Sequence, residues 1–91
     1  MAIAVMFTPP SMSAAQYDEI MKRLEQVGAG APAGRRYHAC HTSDGQLRVF
    51  DVWDSRESFE QFASTLMPLL QQLGVDPGQP AISEIHNIVE G

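Results

Sequence analysis

The sequence predicts an α+β fold whose elements follow the order strand, helix, strand, strand, helix, strand. Three observations indicate this order: two amphipathic helical patterns, an Asp-Gly hairpin signal between two short runs, and apolar runs near both ends. The order matches the split βαβ, ferredoxin-like motif, in which a four-stranded antiparallel sheet carries both helices on one face. With 91 residues, the chain is expected to form a single domain over 1–91.

The first strand and helix are predicted from the amino-terminal third. Residues 2–7 are apolar at every position, which is typical of a strand covered on both faces, and two prolines then end it. Ser13 and Gln16 fit a capping box that opens a helix over 13–27. The glycine-rich stretch 28–34 follows a helix and opens a strand, the reverse of a phosphate-binding loop, so it is interpreted as a connection.

A hairpin is predicted in the middle of the chain. Residues 35–42 and 46–53 are two short runs joined by Ser43, Asp44 and Gly45, and Asp-Gly is a strong signal for a two-residue turn. With that turn, Ser43 pairs with Gln46, and the register of every cross-strand pair follows.

A second helix and a fourth strand complete the pattern. Asp54 with Glu57 is predicted to cap the helix, Pro68 to kink or split it near Met67, and Gly74 to end it. Residues 75–80 form a connection, and 81–89 return to an apolar, β-branched strand.

Composition excludes several classes of function. No apolar run approaches the roughly 20 residues that a membrane-spanning helix needs, so no membrane partner is expected. A net charge of −5 would repel a phosphate backbone, which argues against nucleic acid. The single cysteine, Cys40, and the absence of a basic leader before the first strand predict a cytoplasmic protein.

Both faces of the predicted sheet are apolar, although the helices cover only one. The simplest cover for the second face is another copy of the chain, so a homodimer is expected; the alternative is a monomer with a partly apolar surface. The apolar residues expected on opposite faces of the same strand are Val5 and Met6, Phe50 and Val49, and Ile85 and Ile88.

The stretch from Trp53 to Phe59, with its pattern W-x-S-x-x-S-F, resembles the dimeric α+β barrel superfamily, which includes antibiotic-biosynthesis monooxygenases and haem-degrading enzymes. The resemblance covers the whole chain and implies a ferredoxin-like fold and a homodimer. The motif reports fold more than function, because this superfamily hosts many activities.

Two departures place the chain in an uncharacterised branch of that superfamily. In the cofactor-free monooxygenases that this chain resembles, an asparagine occupies the position on the third strand that Val49 occupies here. The haem-degrading pattern needs an asparagine on the first strand and a histidine on the second helix, and this chain has neither.

The hairpin register gathers the candidate catalytic residues on one face. It places Cys40 opposite Val49 and His38 opposite Asp51, so His38 and Asp51 could form a base held by a carboxylate. The alternative is a cross-strand pair that only satisfies two polar groups. Arg36 is expected opposite Trp53 on the same face.

Three residues are candidates for ligand binding. The resemblance implies that Trp53 lines a cleft between sheet and helices, with core packing as the competing account. Arg36 would share that face, since the neighbouring Arg35 points the other way. Tyr17 lies on the inner stripe of the first helix, where a tyrosine is more often part of the core.

No metal or cofactor is expected. A metal site would need His38, Cys40 and a third ligand such as His86, but the second and fourth strands lie at opposite edges of a ferredoxin-like sheet, about three spacings of ~4.8 Å apart. Three functions therefore stay open: binding of a small apolar or aromatic molecule, a cofactor-independent monooxygenase or isomerase, and a purely structural or regulatory dimer.

Overall fold

The computed structural model describes all 91 residues and has the predicted order of elements. The elements are β1 (Ile3–Phe7), α1 (Ala14–Gln26), β2 (Arg35–Ser43), β3 (Gln46–Trp53), α2 (Arg56–Gln72) and β4 (Ala81–Glu84). The antiparallel sheet has the strand order β2-β3-β1-β4, which confirms the ferredoxin-like α+β fold. No helix combines the length and the apolar character that crossing a membrane requires.

Helix α1 begins with the predicted capping box. The Ser13 hydroxyl accepts a hydrogen bond from the Gln16 backbone N–H at 3.1 Å, and the Gln16 side chain accepts one from the Ser13 N–H at 2.8 Å. These two bonds satisfy donors that the first turn of a helix otherwise leaves free. Ile20 and Leu24 on the inner stripe are buried, which fixes the face that α1 turns toward the sheet.

Helix α2 differs from its prediction at its N-cap. The N-cap is Ser55, whose hydroxyl accepts from the Ser58 N–H at 3.1 Å, whereas the predicted cap Asp54 is exposed and pairs with Arg36 instead. The helix continues through Pro68, so of the two predicted effects of this proline the split does not occur. Its buried leucines on both sides of Pro68 belong to one core, and their packing holds the two parts in a single helix.

The hairpin confirms the predicted turn and most of its register. Asp44 and Gly45 have φ values of 52° and 77°, the left-handed pair that a two-residue hairpin turn requires. His38 pairs with Asp51, as predicted. A β-bulge between Arg35 and Tyr37 shifts the register beyond that pair.

The fourth strand is shorter than the predicted 81–89. Glu84 pairs with Ile3, the first residue of β1, so β1 offers no further strand partner. One more backbone bond follows, from the Ile85 N–H to the Ala2 carbonyl at 3.0 Å. The residues after it are irregular, and Val89 is 82% exposed.

The core lies between the sheet and the two helices. On β1 the buried residues are Ile3, Val5 and Phe7, while Ala4 and Met6 between them face the other side and are half-buried. That second face also carries Tyr37, which is 57% exposed. The prediction that both faces of the sheet are apolar is therefore confirmed.

Candidate functional site

A cleft opens between the helix-facing side of the sheet and the two helices. The cavity in it has a volume of about 60 Å³ and is open at its mouth. Of its 16 lining residues, 11 are hydrophobic. Charged or hydrogen-bonding side-chain atoms come from only four of them: Tyr17, Arg35, His38 and Asp51.

Three of these side chains form one hydrogen-bonded chain that ends on Trp53. Nδ1 of His38 lies 2.6 Å from Oδ1 of Asp51, and the Tyr17 hydroxyl lies 2.7 Å from Nε2 of the same imidazole. The Trp53 indole N–H donates to Oδ2 of Asp51 at 3.3 Å. Because a carboxylate only accepts, the proton is assigned to Nδ1, and Nε2 then accepts from the Tyr17 O–H.

Three elements of the fold position this hydrogen-bonded series of side chains. Strand pairing of β2 with β3 sets His38 beside Asp51, and the first turns of α1 bring Tyr17 over them. The Tyr17 and His38 rings are parallel to within 4°. The bond from Tyr17 is the contact that sequence spacing did not indicate, because it depends on how α1 packs on the sheet.

Asp51 is the one buried charged residue of the chain, with 2% of its surface exposed. Removing a carboxylate from water is costly unless hydrogen bonds replace the lost hydration, and here two N–H donors do so. No buried side-chain nitrogen or oxygen lacks a partner. The buried polar atoms of the site are thus satisfied before any ligand enters.

Burial determines the protonation of two further groups. It raises the pKa of Tyr17 above 10.0, with the nearby Cys40 and Asp51 adding to the rise and Arg35 opposing it. Tyr17 therefore stays a hydroxyl that can donate. Burial also raises the pKa of the Cys40 thiol, so Cys40 is not activated as a nucleophile.

Trp53 does not line the cleft as the resemblance implied. Its side chain is 0% exposed, and its ring packs against Phe59 at 5.8 Å and Phe62 at 5.2 Å between centroids. These two residues of α2 cover the indole and close it off from the cleft. Trp53 reaches the site only through its hydrogen bond to Asp51.

The two adjacent arginines exchange their expected places. Because of the bulge, Arg35 pairs with Trp53 and lines the cleft, and Arg36 points away from it. Arg36 is 47% exposed and pairs with Asp54 at 3.4 Å. The prediction that Arg36 faces the ligand is therefore wrong in position, since an extra residue in the strand inverts the alternation.

The remaining candidates do not come together. No three or more His, Cys, Asp or Glu side chains are grouped closely enough to hold a metal ion. His86 lies beyond the end of β4, on the opposite side of the sheet order from His38 on β2. Val49 lines the cleft, so that wall is apolar where the monooxygenase pattern has an amide.

The chain matches no family model and no curated protein sequence. It does match solved structures along nearly its full length. A proposed antibiotic biosynthesis monooxygenase from Deinococcus radiodurans is 14% identical with a TM-score of 0.64, over 99% of this chain and 97% of that one. SnoaB, a cofactor-independent oxygenase from Streptomyces nogalater, is 14% identical with a TM-score of 0.63, over 99% and 96%.

A further proposed antibiotic biosynthesis monooxygenase, from Caulobacter crescentus, is 16% identical with a TM-score of 0.66, over 97% of this chain and 91% of that one. Identities this low show a shared fold and no more. The chain thus has the ferredoxin-like α+β fold of antibiotic biosynthesis monooxygenase-like proteins, as the resemblance implied.

Proposed function

We propose that this protein binds a small, flat, largely apolar molecule in the cleft, with a polar group of that molecule directed at Tyr17 and His38. The observation that supports this most is the composition of the cleft, an apolar wall with a few convergent polar side chains. Ligand sites are commonly built in this way, because apolar burial supplies affinity and the few polar groups fix orientation.

The open mouth of the cleft favours ligand binding over a purely structural role. A structural dimer would close this space with side chains, whereas an open cavity of about 60 Å³ remains, which a larger molecule enters by displacing side chains of the wall. Two of the lining residues are Met12 and Met21, whose unbranched side chains adapt readily to an incoming shape.

Binding can be tested with N-phenyl-1-naphthylamine, a flat neutral fluorophore whose emission rises in apolar surroundings. We expect saturable enhancement with the natural sequence and its loss in Val49→Phe, which fills the cleft. Val27→Phe is the matched control, because Val27 is 64% exposed and outside the cleft. Equal binding by both variants would contradict the proposal.

The natural ligand can be sought by native mass spectrometry of protein purified from its own host. A co-purifying small molecule would appear as a mass above that of the polypeptide, and we expect Val49→Phe to lose it. A co-purifying mass that Val49→Phe retains would place the ligand elsewhere on the protein.

A second candidate function is a cofactor-independent oxygenase or isomerase, favoured by the Tyr17, His38 and Asp51 chain. A ligand hydroxyl or acidic C–H could pass its proton to Tyr17 while Tyr17 passes its own to Nε2 of His38, and Asp51 would stabilise the resulting imidazolium. The anion left behind could then rearrange, or react with O₂ so that a CH₂ group becomes C=O and water is released.

This reaction is tested by oxygen uptake and product analysis with electron-rich polycyclic phenols. We expect His38→Gln to abolish turnover while retaining binding of the neutral fluorophore. Binding of such phenols with no turnover by the natural sequence would leave the binding function and remove the enzymatic one.

The half-buried second face of the sheet supports a homodimer. Phe50 and Val52 lie on this face beside the exposed Tyr37, and Tyr37 and Phe50 already contact each other with ring centroids 6.3 Å apart. A second copy would remove this apolar surface from water. Light scattering should give twice the 10.0 kDa of one chain.

A variant pair makes the dimer test specific. Val52→Lys places a charge in the proposed interface and should give the monomer mass, whereas Val27→Lys on the exposed end of α1 should not. A monomer mass for the natural sequence at micromolar concentration would contradict the dimer.

A cytoplasmic location is also proposed, on the basis of the free Cys40 thiol, which a reducing compartment preserves. Fractionation of host cells followed by immunoblotting tests it. Recovery of the protein in a secreted or membrane fraction would contradict it.

A further inference from the structure

Arg35 is a cation in the cleft wall without a carboxylate partner. The arginine ion pairs of the chain join Arg23 to Glu19 and Arg36 to Asp54 and Glu90. No acidic oxygen lies within 4.0 Å of the Arg35 guanidinium. Its single hydrogen bond runs from Nη2 to the Gly30 carbonyl at 3.0 Å.

The surrounding structure holds this guanidinium in place. The β-bulge turns Arg35 to the cleft side of β2, which is how bulges redirect side chains near functional sites. Its carbon Cζ lies 5.8 Å from the centroid of the Phe62 ring, and its Nη2 donates to the Gly30 carbonyl. A guanidinium has five N–H donors, so several stay free for a ligand.

No neighbouring carboxylate pairs directly with Arg35. Asp51 also lines the cleft, but both of its oxygens accept hydrogen bonds, from His38 and Trp53. The Arg35 charge is felt at the Tyr17 hydroxyl, where it opposes the rise in the pKa of Tyr17. The cleft therefore has an unpaired guanidinium beside the Tyr17 hydroxyl, whose proton is already donated to His38, in a chain whose net charge is −5.

We propose that Arg35 makes the cleft selective for flat apolar molecules that carry an anionic oxygen group, such as a carboxylate, a sulfonate or a phenolate. This inference rests on the proposed binding function and adds the chemical class of the ligand to it. The anionic group hydrogen-bonds to the free N–H donors of Arg35, and the apolar body packs on the aliphatic wall.

Two probes that differ only in the anionic group test this selectivity. 1-Anilinonaphthalene-8-sulfonate has the rings of N-phenyl-1-naphthylamine plus a sulfonate, so the pair separates charge from shape. We expect Arg35→Met to weaken binding of the sulfonate by about tenfold or more, because a hydrogen bond to a charged group is lost. Binding of the neutral probe should stay within about twofold of the natural sequence.

Arg36→Met is the matched control. It removes the same charge from the next residue, which points away from the cleft and pairs with Asp54. It should leave both affinities unchanged and so exclude a general effect of net charge. Unchanged neutral-probe binding also shows that Arg35→Met keeps the fold of the cleft.

Each remaining outcome contradicts the proposal in a recognisable way. If Arg35→Met and Arg36→Met weaken sulfonate binding equally, the effect is long-range charge and Arg35 has no specific role. If Arg35→Met changes neither affinity, the anionic selectivity is wrong while the binding function stands. If the natural sequence binds neither probe, the binding function itself fails, and the selectivity with it.

Discussion

Nδ1 of His38 and Oδ1 of Asp51 are 2.6 Å apart across the pair of strands β2 and β3, and the second oxygen of Asp51 takes the Trp53 N–H. This carboxylate therefore joins the open cleft to the closed core. Its two acceptor positions fix the tautomer of His38 on one side and the indole of Trp53 on the other.

Substitution of Asp51 should reveal this double role. In Asp51→Asn the amide oxygen can still accept from Trp53 while the amide nitrogen donates to Nδ1 of His38, so we expect a loss of about 1 kcal/mol in the free energy of unfolding. Asp51→Leu leaves Nδ1 of His38 and Nε1 of Trp53 without a partner and should cost about 2–4 kcal/mol. Urea denaturation measures both variants.

The same pair of variants makes a spectroscopic prediction. Asp51→Asn should move the His38 proton from Nδ1 to Nε2, which then donates to the Tyr17 oxygen. The ¹⁵N chemical shifts of the imidazole report this exchange directly. An unchanged tautomer in Asp51→Asn would mean that Asp51 does not set it.

Alkaline pH should destabilise the protein through Tyr17. Burial raises the pKa of Tyr17 above 10.0 in the folded state, so its contribution is complete below pH 10.0 and is lost as pH rises through the folded-state pKa. The half-buried Cys40 thiol acts in the same direction, so Cys40→Ala serves as the background. There, the free energy of unfolding should fall as pH rises through 10.0 and beyond, and less steeply after Tyr17→Phe.

Gly34 is expected to tolerate no side chain. Its φ is +89°, and an added Cβ would lie 2.5 Å from Cβ and Oγ of Ser58 on α2. Gly45→Ala is the matched control, because its φ of +77° brings the same backbone strain with no atom within 4 Å. We expect about 1–2 kcal/mol for Gly45→Ala and a distinctly larger loss for Gly34→Ala. Equal losses would show that Ser58 moves away freely.

The cap of α2 can be assigned by a comparison of neighbours. Ser55→Ala removes the acceptor for the Ser58 N–H and should cost about 1 kcal/mol. Asp54→Ala removes only a solvent-exposed pair with Arg36 and should cost less than about 0.5 kcal/mol. A larger loss in the free energy of unfolding for Asp54→Ala than for Ser55→Ala would identify Asp54 as the cap instead.

The parts of the site that local chemistry determines could be predicted from sequence. Asp44 and Gly45 allow the left-handed turn, the turn sets the register, and the two-residue period of a strand then brings His38 beside Asp51. No knowledge of the rest of the fold is needed for these steps.

The parts that depend on packing could not be predicted. The bulge that places Arg35 in the cleft breaks the period at a single residue, and no turn signal marks it. The burial of Trp53 depends on Phe59 and Phe62 of α2, and the hydrogen bond from Tyr17 to His38 depends on how α1 packs against the sheet. The last two are contacts between elements that are distant in sequence. The spacing of residues along the chain does not determine how such elements lie relative to each other.

The central claim is that a flat apolar molecule occupies this particular cleft, and methyl-labelled NMR tests it most directly. The protein is titrated with N-phenyl-1-naphthylamine while the methyl resonances of both sheet faces are followed. The account predicts saturable shifts at Val49, Leu66 and Leu70, which line the cleft, and none at Met6 or Val52 on the opposite face. Shifts confined to Met6 and Val52, or no saturable shift at all, would contradict it.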